Sequence, residues 1–259
     1  MMIRRAIRRL SRNRVLRKRL PAEFGGTSLF CSPEAMLSMW KPGWGSGQAV
    51  DLFEWVRRFV VPGENVWDLG ANQGIFTFAA AGKAGPDAAV VAFEPDHFLL
   101  GLLDRTSSTP SSNRAEVIIL PMAVGAEVSL ATFEIAATDR TLNHLASSNG
   151  NPHTGGVRQR KMVPLATLDW LAERLPTPGL MKIDVEGAEV DVLEGGTKLL
   201  ETGRPRIIIE VAPENCAKVR DIFVEHSYIV ADVRQPDVAI ESPAWNTYAV
   251  PSECWNDGK

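Results

Sequence analysis

The chain has 259 residues, 45% of them apolar, 23% charged and 7% aromatic, which suits an ordinary soluble globular protein with one large α/β domain or two small ones. Its formal charge of −3 joins two opposite parts: residues 1–20 hold nine basic side chains and no acid, and the remainder holds 19 basic against 31 acidic residues, a net of −12. That body argues against a nucleic-acid-coating protein, three widely spaced cysteines (Cys31, Cys216, Cys254) argue against a disulfide framework or a CxxC site, and no apolar run reaches the roughly 18 residues of a bilayer span.

In chain order, residues 1–20 form a basic tail in which Ile3, Ile7 and Leu10 fall at helical spacing among arginines. A solvated tail, a contact with an anionic membrane or acidic partner, and an organellar presequence all fit it; no apolar signal core follows. With the cysteine usage, this places the protein in the cytoplasm, with peripheral membrane contact available through the tail. Residues 21–60 read as a cap: a Gly-, Ser- and Pro-rich irregular stretch with Trp40 and Trp44 as anchors over a site opening, then a helix over Asp51–Val60 ending before Pro62 and Gly63.

From residue 61 to 259, apolar β-branched runs alternate with helical stretches. Strands are expected at Asn65–Leu69, Ala89–Phe93, Glu116–Leu120, Leu180–Val185, Arg206–Val211, Tyr228–Val233 and Thr247–Val250, with helices near Ile75–Ala81, Asp96–Asp104, Ala188–Leu200 and Glu214–Glu225. This is the pattern of one doubly wound, mostly parallel α/β sheet. An insertion at about 126–163 interrupts it, with strands at Val128–Ile135 and Val157–Val163 around the polar stretch Thr138–Gly156, where acceptor recognition is expected.

Three motifs carry chemistry. VWDLGANQGIF (Val66–Phe76) ends a strand in Asp68 and turns into a helix through Gly70, Ala71, Asn72 and Gly74, a geometry that lets backbone approach a nucleotide-like ligand. It lacks the second glycine of GxGxxG, and the Asp68 carboxylate suits an ammonium-bearing ligand better than a pyrophosphate. VVAFEPD places Glu94 and Pro95 after the second strand, where a carboxylate accepts both ribose hydroxyls. MKIDVEGAE places Asp184 at the end of the fourth strand and Glu186 and Glu189 at the next helix start, while Glu210 ends the neighbouring strand. Asp184 and Glu210 could share a divalent cation or polarise an acceptor hydroxyl, and compensation of a helix dipole is the plainer reading of the helix-start acids. His144 is a candidate general base or an ordinary loop histidine. No HExxH, GxSxG or GxxxxGK[ST] spacing occurs, so no metal centre is assigned.

Taken in order, these motifs, the AVG of Ala123–Gly125, KIDVEGAEVDVLEGG from Lys182 and PRIIIEV from Pro205 resemble the FkbM-type S-adenosylmethionine-dependent methyltransferases over roughly Val60–Val233. The resemblance implies a Rossmann-like sheet of seven strands with the last antiparallel, and methyl transfer to a hydroxyl of a sugar, glycan or secondary metabolite. Asp68, Gly70, Asn72 and Gly74 would form the cofactor loop, Glu94 would bind ribose, and Asp184 with Glu186 would face the methyl-transfer region. RNA-directed methylation using the basic tail, aminopropyl transfer and an inactive binding role stand as alternatives. Oligomeric state is not legible.

Overall fold

The computed structural model describes residues 10–44, 47–111, 113–137, 140–148 and 156–255. Ile3 and Ile7 of the expected amphipathic helix, His153, and part of the Thr138–Gly156 stretch lie outside the described residues.

The N-terminal region departs from expectation. Leu16–Arg19 (β1) pairs antiparallel with Ser28–Cys31 (β2), so the end of the basic tail and part of the expected irregular cap form a hairpin. The pairing is decided by tertiary packing rather than local propensity: Leu29 and Cys31 point into the core, and Phe24 between the strands stacks on Phe53 at 5.2 Å. The chain lies so close to the following helical layer that a Cβ at Gly82 would collide with the Phe24 carbonyl. Helix α1, Gln48–Phe59, turns Leu52, Phe53, Val56 and Phe59 into the core and its charged residues outward.

The central sheet is assembled from β3 (Val66–Leu69), α2 (Ile75–Ala84), β4 (Ala89–Phe93), α3 (His97–Ser107) and β5 (Glu116–Leu120). After an added sheet, the chain returns through α4 (Leu168–Ala172), β10 (Leu180–Ile183), α5 (Glu189–Glu194), β11 (Arg206–Glu210), α6 (Cys216–Glu225), β12 (Tyr228–Asp232) and β13 (Asn246–Pro251). The strand order is β12-β13-β11-β10-β3-β4-β5, with β13 antiparallel to both neighbours and the other pairings parallel. Helices on both faces explain the near-continuous apolar runs of the central strands. Val66 and Val90 face one core layer, and Trp67, Leu69, Val91 and Phe93 face the other. The helix expected over Ala188–Leu200 is shorter: α5 stops at Glu194 before Gly195 and Gly196, and Leu199–Gly203 makes a separate π-helical turn.

The insertion forms its own four-stranded sheet from β6 (Ala123–Val124), β7 (Ser129–Ala136), β8 (His144–Leu145) and β9 (Val157–Ala166), in the order β6-β9-β7-β8. Phe133, Ile135, Leu145 and Val163 form its small core. Because the strand order reverses between β3 and β10, their C-terminal ends leave a crevice, and the added sheet borders it.

Candidate active site

Two adjoining clefts occupy that crevice. The larger is lined by Gly70, Glu94, Pro95, Val124, Arg140 and Asp184 among others. The smaller lies under the N-terminal cap, where Met36, Gln48 and Leu52 face Gln73, Phe76 and Lys182. Gly70, Asn72, Thr141 and Asp184 line both.

The turn after β3 explains its residues. Gly70 has φ +76, and a Cβ there would collide with the backbone carbonyl of Asp184, so the glycine is required by the neighbouring strand end rather than by a ligand. Asn72, also left-handed at φ +53, caps the turn by accepting from the Gln73 N–H at 2.8 Å. Asp68 does not reach either cleft. It is fully buried, it accepts from Thr77 Oγ1 at 2.6 Å, and it pairs with Lys182 Nζ at 3.0 Å. The cation expected of a ligand is supplied by the chain itself, which corrects the reading of Asp68 as a ligand contact. Lys182 also pairs with Asp184 at 3.4 Å; burial works to lower its pKa, but the two carboxylates raise it above the usual lysine range.

Glu94 is placed differently. It is buried, lines the larger cleft, and accepts the backbone N–H groups of Asn72 and Asp96 at 2.8 Å each. No cation pairs with it among the described residues, and burial pushes its carboxyl up to about 8. Pro95 lines the same wall, as expected.

Asp184, Glu186 and Glu210 converge, each with a carboxylate oxygen within 4.8 Å of the others. Asp184 follows β10 directly. Glu186 and Gly187 both take left-handed backbone, at φ +50 and +96, a turn that directs the Glu186 segment over the cleft. Glu210 ends β11 and does not line either cleft, so it backs Asp184 from behind; burial and the neighbouring Asp184 charge push it up to about 8. Glu189 turns away, accepting from the Gly187 N–H at 2.8 Å and from Asn215 Nδ2 at 2.6 Å to hold the turn closed.

His144 is not brought to the site. Alternation in β8 sends Leu145 into the cleft, while the His144 Nε2 faces Glu134 at 3.5 Å and its Nδ1 contacts the Leu142 carbonyl at 3.0 Å. The residue that sequence reasoning missed is Arg140, buried at the cleft wall between Asp96 and Glu34 and lying 4.5 Å over the Phe98 ring. Asn143 Nδ2 donates to Asp96 at 2.9 Å, and Arg158 pairs with Glu34 at 2.7 Å. The network joins cap, insertion and central sheet through contacts 44 and 106 residues apart in sequence, a separation that leaves no local signal.

A family model described as the methyltransferase FkbM domain matches residues 68–230, well over half of the chain. The chain belongs to the FkbM methyltransferase family. The matched stretch runs from Asp68 to Val230 and so includes both glutamates with raised pKa values, the Asp184 turn and the whole insertion, while the cap residues that roof the smaller cleft fall outside it. The hexuronic acid methyltransferase AglP of Haloferax volcanii is 29% identical over 139 residues, 53% of this chain and 52% of that protein. The chain therefore matches about half the length of this relative. Among solved structures, methyltransferase FkbM from Methylobacillus flagellatus aligns with a TM-score of 0.43 at 15% identity, covering 76% of this chain and 49% of that one. Magnesium protoporphyrin IX methyltransferase from Synechocystis, solved with bound S-adenosylmethionine, aligns at 0.44 and 13% identity, covering 85% and 93%.

Proposed function

We propose that this protein is an S-adenosylmethionine-dependent O-methyltransferase acting on a hydroxyl of a sugar, glycan or secondary metabolite. The observation that carries the reading is Glu94: a buried carboxylate facing the cleft, with no paired cation among the described residues, whose two oxygens each accept one backbone N–H and keep further acceptor capacity. Such a group is costly to bury unless a ligand completes it, and a ribose diol offers two donors at the spacing of its oxygens. The mixed lining beside Glu94, with Leu69, Phe93 and Met122 as its apolar part, fits an adenosine there. A sulfonium cofactor, when bound, supplies an activated methyl group, so the protein's tasks are alignment and removal of one proton.

Asp184, at the junction of the two clefts, is the residue positioned to accept that proton from the acceptor hydroxyl. Lys182 holds its carboxylate in place from below, and Glu210, raised by burial and by the Asp184 charge, stands behind it. The relation to a hexuronic acid methyltransferase favours a sugar acceptor. The reading also takes the acceptor as the only partner the site requires, with no nucleic acid.

Isothermal titration with S-adenosylmethionine and S-adenosylhomocysteine tests the cofactor assignment. Binding by the parent chain that is lost in Glu94→Ala supports it, and absence of binding by the parent chain rejects it in favour of an inactive binding role. Asp184→Asn is expected to keep cofactor affinity and lose turnover on a sugar acceptor; unchanged turnover removes Asp184 from the mechanism.

A further inference from the structure

The hairpin β1–β2 carries a surface that methyl transfer does not use. Arg12, Arg14 and Arg17 are exposed on the segment leading into and along β1, and Arg105 of α3 joins them: Arg17 and Arg105 lie over the Phe30 ring at 5.3 and 4.2 Å. None of these four guanidiniums forms an ion pair with a carboxylate among the described residues. Two large apolar groups stand beside them without cover: Leu10 is 71% exposed and Trp40 46% exposed, the latter held to this turn by its indole N–H, which donates to Ser11 Oγ at 2.8 Å.

We propose that this face is a docking surface for anionic lipid bilayers, with the arginines meeting lipid phosphates and Leu10 and Trp40 entering the headgroup boundary. Charge complementarity selects the partner's sign, because residues 1–20 are purely basic while the rest of the chain carries −12 and would be repelled by the same surface. The exposed indole and leucine select a bilayer over a polyanion in water: an indole has an apolar body and a polar edge and settles at the membrane interface, whereas RNA offers no hydrocarbon boundary for Leu10. No helix among the described residues is long and apolar enough to cross a membrane, so the docking proposed here is peripheral contact through this face. The surface is also tied to the active site. The Asn13 N–H donates to Glu34 at 2.8 Å, and Glu34 pairs with Arg140 of the cleft wall at 3.0 Å, so docking holds the cleft rim two side chains from the bilayer.

The test is sedimentation of the full chain with phosphatidylcholine vesicles with and without phosphatidylglycerol, at low and high salt. Binding is expected only with the anionic lipid and is expected to weaken with salt. Arg12→Ala/Arg14→Ala/Arg17→Ala should weaken it about a hundredfold, at about fivefold per arginine near the surface. Tryptophan emission should be quenched by lipids brominated in the acyl chain, and Trp40→Phe should remove that quenching. An unchanged melting midpoint and an unchanged S-adenosylmethionine titration show that the variants remain folded, independently of any acceptor. Equal binding to both vesicle types, no effect of the triple variant, or tight binding of single-stranded RNA with no quenching by brominated lipid would each overturn the proposal.

Discussion

Asp68 stands on β3 and Glu94 directly follows the adjacent parallel strand β4, each acidic and each buried, yet the chain treats them in opposite ways. Asp68 is closed into the floor by Lys182 and Thr77 and meets no cleft. Glu94, just past the end of the neighbouring strand, accepts backbone N–H groups and pairs with no cation among the described residues. The contrast teaches that burial of an acid does not by itself mark a binding group; the distinguishing feature is whether the fold has already supplied the partner.

The largest expected effect breaks the Asp68 side of this comparison. Lys182→Met leaves Asp68 buried without its cation and should destabilise the protein by roughly 3–5 kcal/mol in denaturant unfolding; a loss below about 1 kcal/mol would mean that Asp68 is not dependent on that pairing. Gly70→Ala forces a side chain into a left-handed turn and against the Asp184 carbonyl, and should cost roughly 2–3 kcal/mol while displacing Asp184. Turnover should fall with stability, and retained turnover in a folded variant would show that the turn can relax without moving Asp184.

Glu94→Gln acts on the other side. It should reduce S-adenosylmethionine affinity by about 10–100-fold, the equivalent of roughly 1.5–3 kcal/mol for hydrogen bonds to a charged group, with a stability change of no more than about 1–2 kcal/mol. Equal losses of stability and affinity would erase the distinction between the two acids.

A pH dependence probes the same comparison without a substitution. Glu94 and Glu210 are both raised to about 8 by burial, Glu210 with help from the Asp184 charge, so the folded chain holds protons that the unfolded chain has released. Their contribution to stability is complete below the ordinary glutamate range and declines as pH rises from about 4.5 to about 8. Cofactor affinity should move the other way over the upper part of that range, because a diol is accepted best by the carboxylate. A titration of binding heat in buffers of differing ionisation enthalpy should detect proton release near pH 7, and its absence in the parent chain would mean that Glu94 is already ionised.

Much of the sheet was legible because parallel strands covered on both faces must be apolar throughout, and Val66–Leu69, Ala89–Phe93 and Arg206–Glu210 carry that signal in so few residues that no other element fits. Glu94 was legible from its distance to the glycine turn. The hairpin β1–β2 was not, since its first strand reads Leu-Arg-Lys-Arg and only the packing of Leu29, Cys31 and Phe24 against distant helices makes it a strand. Asp68 was assigned to a ligand because the sequence motif displays the acid and conceals Lys182, which approaches from a strand that is a neighbour only in space. Arg140 was invisible for the same reason, as both of its carboxylate partners are supplied by distant segments.

The position of β13 between β11 and β12 bears on how the chain is made. Residues 228–232 reach their place only through a strand that ends at Pro251, so during synthesis the open edge of β11 waits until that strand has emerged. Until then β11 presents the unpaired backbone of an apolar Ile-Ile-Ile run, an edge open to pairing with another nascent chain. Shortening the chain ahead of Asn246 should therefore yield aggregates rather than a smaller folded domain, even though every glycine and acid of the cleft would still be present.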